Sequence, residues 1–300
     1  METRQVFIVD ACAAEPTGGV PVAVLSEDGL TDDQLRAVAD ELAATVAVPE
    51  DDSLRIVGTD GSLDTQPTKT AATIGTLGHQ YERGEREADE YAISTPAGTL
   101  ETEVTTDGGV WVRQDQPTVS AASVDESRVA TALGIDPAAI RDVGADLPPM
   151  VLSAGVDALA VPVNFLEHVS HATADPSTLG TVADDADVDA VCAFTFDTLA
   201  ADAACHLRTF VPPGRRLGRH TVNVETPAFP ALAGGLVSTL FERGIIEDAT
   251  TSVEQGHFLD RPGRIHVEAG SGLRVGGHTV TSLDGSVTVP ADEDDDIIEV

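Results

Sequence analysis

The chain has 300 residues, 42% hydrophobic and only 4% aromatic, enough for two domains whose cores must be built from Val, Leu, Ile and Ala. Its formal net charge is −34 and Lys69 is its one lysine, so no basic stripe exists to neutralise nucleic-acid phosphates. No apolar run approaches the roughly 18 residues a membrane helix needs, and Cys12, Cys192 and Cys205 form neither a CxxC pair nor a zinc spacing. An acidic, Arg-containing surface suits molar salt, where the Debye length falls to about 3 Å and self-repulsion is screened, so an extremely halophilic source is expected. Dispersed cysteines and an N-terminus that leads straight into a strand point to a reducing cytoplasm.

Val6 to Val9 reads as a strand, Pro16 to Pro21 as a glycine loop, and Val22 to Leu25 as a second strand. Thr31 with Gln34 makes a capping box, Leu30 with Leu35 a hydrophobic staple, and Leu35, Val38, Ala39 and Leu42 a helical stripe. Leu54 to Val57 reads as a buried strand, followed by a polar loop. A helix of small residues then runs from about Thr70 to Tyr81-Glu-Arg-Gly84. A hairpin signature from Ile93 to Val112 follows, and Gln116 to Val119 reads as a crossover.

Ser123 with Glu126 reads as a capping box opening a helix that stops at Gly134. Met150 to Ser153 and Asp157 to Val163 read as strands, Leu179 to Ala183 as a helix, and Ala190 to Phe194 as a strand. His168 and His171 have metal-ligand spacing but no third ligand nearby, so no metal is expected. His206 to Val211 is again a strand before a Pro-rich loop. The next helix of small residues stops at Phe241-Glu-Arg-Gly244, and a hairpin signature runs from Val253 to Val267. Thr279 to Ser282 and Ser286 to Val289 read as a last hairpin around Asp284-Gly285, and Asp292 to Asp296 as a solvated acidic tail.

The same unit therefore occurs twice, about 160 residues apart. Each small-residue helix ends in an aromatic, Glu, Arg and a glycine suited to the αL stop. Two copies imply a two-fold pseudo-symmetric α+β protein with a cleft between its halves and two helix N-termini available to line it. The reading places a first lobe at 1–117, to which a final strand at 279–290 returns, a second lobe at 118–278, and the tail at 291–300.

Several segments in series resemble the phenazine-biosynthesis PhzF-like family, relatives of diaminopimelate epimerase. They are Val9-Asp10 through Val24, Leu54-Arg-Ile56, Thr73 through Gly84, Leu152 to Gly155 with Ala160 to Val163, Arg208 to Pro212, Pro227 through Gly244, Glu254-Gln-Gly256 and Arg261 to Val267. The resemblance implies a diaminopimelate epimerase-like fold of two lobes, each a β-sheet wrapped around a central helix, and often a homodimer. It implies an isomerase that shifts a proton on a small carboxylic acid without cofactor or metal. The acid's carboxylate would meet the free N–H groups of the helix starts.

The chain departs from that pattern where the chemistry would sit. The family's Gly-Asn-Pro is here Gly19-Val20-Pro21, and its Ser-Glu-Thr, which carries the catalytic Glu, is Ala43-Ala44-Thr45. Its Gly-His-Pro aligns with Thr70-Ala71-Ala72, or with Thr68 at the His position in an ungapped alternative. Its Glu-Asp-Pro-Ala-Thr-Gly-Ser is Glu225-Thr226-Pro227-Ala228-Phe229-Pro230-Ala231. Pro227 and Pro230 each remove a backbone donor and move the first helical turn to Pro230. The epimerase branch's two cysteines would fall at Ala71 and Thr226.

By family position the ligand cleft comprises Val20, Ala44, Thr70, Ala71, Thr226, Phe229 and Ala231. Relocated acid–base groups could be Glu41, His220 or Glu225, with Asp10, Glu254 and His257 more simply structural and Thr70 and Thr226 read as helix N-caps. Two functions follow as expectations: a non-catalytic protein that binds a small carboxylic acid or a partner protein, or an active isomerase using relocated groups.

Overall fold

The computed structural model describes residues 2–26, 29–58, 68–141, 143, 147–213 and 225–290. The first half runs β1 (Glu2–Ala11), β2 (Val20–Leu25), α1 (Asp32–Leu42), β3 (Thr45–Glu50), β4 (Ser53–Val57), α2 (Lys69–Glu82), β5 (Glu90–Thr95), β6 (Gly98–Val104) and β7 (Val110–Gln114). Next come β8 (Thr118–Ala121), α3 (Glu126–Leu133), α4 (Ala138–Arg141), β9 (Met150–Ser153), β10 (Asp157–Pro162), α5 (Leu166–His171), α6 (Pro176–Ala186), β11 (Ala190–Thr195) and β12 (Ala203–Phe210). The chain finishes with β13 (Glu225–Thr226), α7 (Pro230–Glu242), β14 (Thr250–Gln255), β15 (Gly263–Glu268), β16 (Leu273–Gly277) and β17 (Thr279–Val289).

Strand pairing makes the duplication explicit. One ribbon follows the order β17-β1-β2-β3-β4-β5-β6-β7. The other follows β8-β9-β10-β11-β12-β14-β15-β16. In both, the pairs run antiparallel, antiparallel, parallel, antiparallel, parallel, antiparallel, antiparallel. Antiparallel pairing of β7 with β16 joins the two ribbons into one sheet. The fold is the α+β, two-lobed architecture expected from the duplication.

Each ribbon curls around one helix, α2 from Thr70 to His79 and α7 from Pro230 to Leu240 being buried residue after residue. A helix enclosed on all sides cannot be amphipathic, which is why both are rich in Ala, Gly, Ser and Thr rather than striped. Gly75 lies against Val22 and Ala11, and its counterpart Gly235 lies where a Cβ would come within 2.6 Å of Ala154. Both helices share the main core, while a second cluster lies under α3, α5 and α6 and a third under α1.

The β7–β16 junction is equally tight. A Cβ on Gly276 would stand 2.4 Å from the Val110 carbonyl oxygen and 2.9 Å from the Trp111 ring. Gly276→Ala is therefore expected to destabilise the protein by about 1–3 kcal/mol, read from the denaturant midpoint at fixed salt. An unchanged midpoint would mean that the two ribbons can slide apart freely at this point.

Three local readings are corrected. Residues 279–289 form one unbroken strand rather than a hairpin, because β1 offers a continuous partner along its whole length and draws Asp284-Gly285 into the ladder opposite Phe7 and Val6. The cap of α3 is Asp125, whose carboxylate accepts from Ser127 N at 2.9 Å, rather than Ser123. The N-caps of α2 and α7 are Thr68 and Phe229, neither with a side-chain cap bond, so Thr70 lies inside its helix and Thr226 in β13. The Thr31–Gln34 capping box of α1 is formed as read.

Candidate functional site between the two helix starts

The two central helices begin near one another between the halves. At α7, Pro230 occupies the first helical position. The buried Gln255 of β14 accepts from Phe229 N at 3.1 Å and donates to Thr226 O at 3.0 Å. The approach to α7 is thus clamped, and one of the few amide donors left by Pro227 and Pro230 is already used.

The β1–β2 loop crosses from the first half onto the second. Arg264 N donates to Cys12 O at 2.8 Å, Ala13 N donates to His278 O at 3.1 Å, and Ala13 bridges to Gly263. Arg261 donates to Asp10 Oδ1 at 2.5 Å, to Gly18 O at 3.2 Å and to Gly19 O at 3.1 Å. Asp10 is therefore a buried tie between the halves.

On the other flank the halves leave a cavity of about 330 Å³. Lys69 and Thr70 of α2 and Ala231 of α7 meet in it, with β6, the stretch from Arg113 to Gln116, and the β9–β10 turn as its remaining walls. Lys69 is half-buried, and its ammonium donates to Ala97 O at 3.4 Å. Burial pushes its pKa below the usual lysine value, while the charge of Asp115 partly restores it. Gln114 donates to Ala231 O at 2.7 Å and so ties the cavity wall to the α7 start, and Glu101 and Arg113 form an exposed ion pair at 2.6 Å.

Of the seven positions assigned by family resemblance, Thr70 and Ala231 line this cavity. Ala71 and Phe229 are buried in the main core, with Val20 packed beside it. Ala44 lies under α1 with Leu35, Val38 and Ala39, since the αL turn at Ala43 sends it to that face. Thr226 pairs with Thr209, and its hydroxyl donates to Ala228 O at 3.4 Å.

Among the acid–base candidates, Glu41 is exposed on α1, away from this cavity, and His220 lies outside the described residues. Glu225 is engaged by the buried Arg208, which donates to its two oxygens at 2.9 and 2.6 Å. Glu254 is buried, accepting from Leu199 N, Ala200 N and His206 Nδ1 at 2.9, 2.6 and 3.1 Å, with His257 stacked on the far side of His206. The three cysteines are buried thiols, Cys12 and Cys192 pushed up to about 12 and Cys205 also raised, which keeps thiolate scarce.

Sequence reasoning missed Lys69 and Asp115. The signal was present, since the chain keeps one lysine among its 17 basic residues and places it at a central helix start. Among the described residues there is no group of three or more potential metal ligands, and no helix is long and apolar enough to cross a membrane.

A family model for phenazine biosynthesis-like proteins matches residues 67–285. The chain is 25% identical over 297 residues to an uncharacterized isomerase, YfhB, of Bacillus subtilis, covering 95% of this chain and 96% of that one. Its fold is similar to that of a PhzF-family phenazine biosynthesis protein of Bacillus anthracis, with a TM-score of 0.81 at 20% identity over 96% of this chain and 100% of that one. It is also similar to a predicted epimerase of Pseudomonas aeruginosa, with a TM-score of 0.74 at 22% identity over 95% of this chain and 99% of that one. With a matching model over most of its length and the doubled architecture those structures share, the chain belongs to the PhzC-PhzF family of phenazine biosynthesis-like proteins.

Proposed function

We propose that this protein binds a small carboxylic acid between its two halves and does not carry out a proton shift with the family's groups. The observation that carries this reading is the content of the inherited positions. Val20, Ala44, Ala71, Thr226, Phe229 and Ala231 offer neither carboxylate nor imidazole, Glu41 faces solvent, and Glu225 is consumed by Arg208. General acid–base catalysis needs two groups that exchange protons near neutral pH within reach of one substrate carbon. A cavity of about 330 Å³ touching both helix starts is large enough for a small molecule. The helix starts and Lys69 supply positive potential there.

The reading extends to a homodimer in a cytoplasm of molar salt, with lobe boundaries near 117 and 278. The charge of −34 and the family resemblance support it.

A second reading has one observation in its favour. Lys69, with its lowered pKa, and Asp115 line the same cavity and could serve as relocated base and acid of a cofactor-independent isomerase. Proton exchange separates the two. In heavy water at molar salt, with amino-acid-like and cyclic carboxylic acids, the expected result is ligand line broadening without loss of any C–H signal by NMR. Loss of one C–H signal above the protein-free rate, abolished by Asp115→Asn or Lys69→Gln, would establish the isomerase instead.

A further inference from the structure

We infer that the cavity beside Lys69 is a site for a zwitterionic amino-carboxylate, its carboxylate held by Lys69 and its ammonium by Asp115. The inference rests on the small-acid reading above and assigns that acid a place and a charge pattern.

The cavity exists because the pseudo-symmetry is broken at one loop. In the first half the β1–β2 connection, Cys12 to Gly19, is long enough to reach across and pack on β15 and β16, where Cys12 and Ala13 fill the space. Its counterpart is the β9–β10 connection, residues 154–156, a turn closed by Ala154 N donating to Val156 O at 3.0 Å. This turn is too short to reach β6, and the space that Cys12 to Gly19 fill on one flank stays open on the other.

The open flank is where the chain's one lysine stands. Among the described residues the Lys69 ammonium has a single bond, at 3.4 Å to Ala97 O, although it carries three donors, and burial disfavours its charge. A partly desolvated, under-bonded ammonium gains most from an anion placed against it, and the adjacent α2 start, without a side-chain cap, adds its dipole to the same place.

Asp115 faces the same cavity and interacts with Lys69 electrostatically without approaching it within 4 Å as an ion pair. A dicarboxylate would bring its second charge against Asp115, whereas a ligand with an amine at that end is complementary at both. Glu101 and Arg113 neutralise each other at the rim and leave this pattern unchanged.

One lysine per chain makes the test direct. Protein grown on lysine carrying carbon-13 at Cε would give a single side-chain signal from Lys69, followed in molar potassium chloride against β-alanine, 4-aminobutyrate, butyrate and succinate. The expected result is a saturable shift with one of the two amino acids, at least tenfold tighter than with butyrate and more still than with succinate. Asp115→Asn should reduce that preference to the butyrate level, and Lys69→Gln should weaken binding at least tenfold while circular dichroism stays unchanged.

Succinate binding as tightly as the amino acids would overturn the zwitterion assignment. A silent Lys69 signal with broadened ligand lines would overturn this site and leave the small-acid reading standing. No response in either set of signals would sink both.

Discussion

Arg208→Met is expected to cost about 3–5 kcal/mol, the largest single-site loss outside the core, because it strands a buried carboxylate. The Arg208 and Glu225 side chains are 8% and 7% exposed. Arg208 makes the bidentate pair with Glu225 and also donates to Val169 O at 2.7 Å and Ala172 O at 2.8 Å at the end of α5. Removing it leaves Glu225 charged without a counter-ion and two carbonyls without a donor.

The double variant Arg208→Met, Glu225→Met should recover most of the loss, since replacing both partners of a buried pair by apolar groups is far less costly than removing one. Chemical denaturation at fixed molar salt measures both. A cost under about 1 kcal/mol for the single variant would show that water reaches the pair, as at exposed ion pairs. The consequence for the site is direct. Glu225 belongs to β13, which leads into the clamped approach to α7, so the α7 start should loosen with the pair.

The duplication explains which features were legible in sequence. Arg55 in β4 and Arg208 in β12 occupy matching places in the two Leu-Arg strands, and Arg55 likewise reaches a helix, donating to Leu30 O at 3.0 Å just before α1. Strand order, central helices and their glycine stops follow from local pattern repeated at a fixed distance, and such patterns survive without knowledge of tertiary contacts. What depended on long-range contact was not legible. Glu225 read as a free acid, because its partner lies 17 residues away across masking loops. Ala44 read as a cleft residue, because the αL turn at Ala43 that sends it under α1 has no sequence mark. The last hairpin was misread for the same reason: Asp284-Gly285 is a good turn in isolation, and only β1 straightens it. Lys69 carried a compositional mark that becomes chemically meaningful once β6, the 113–116 stretch and the β9–β10 turn close around it.

Acid should destabilise the protein through His206 before the carboxylates titrate. The imidazole is fully buried on β12, and its Nδ1 stands 3.1 Å from Glu254 Oε2. Burial is the main force on it, lowering its pKa from 6.5 to about 4. The hydrogen bond to Glu254 and that residue's charge oppose the shift, while His257 and Arg208 add to it.

A histidine held neutral in the folded state and free to protonate at about 6.5 when unfolded makes the unfolded chain the stronger proton binder below that pH. Its contribution is therefore complete above about pH 6.5 and is lost as pH falls toward 4, by roughly 3 kcal/mol over the window at 1.36 kcal/mol per pH unit. His257, His266 and His79 are lowered too, again by burial, so they steepen the same limb.

His206→Asn keeps an N–H for Glu254 and removes the titration. The wild type should lose about 2 kcal/mol more than this variant between pH 6.5 and 5, read from denaturant midpoints at constant salt. Equal slopes would show that His206 protonates without unfolding anything. The residue after Glu254 is Gln255, which holds Phe229 and Thr226 at the α7 start. Opening of the His206–Glu254 contact in acid should thus weaken ligand binding at a higher pH than it unfolds the chain.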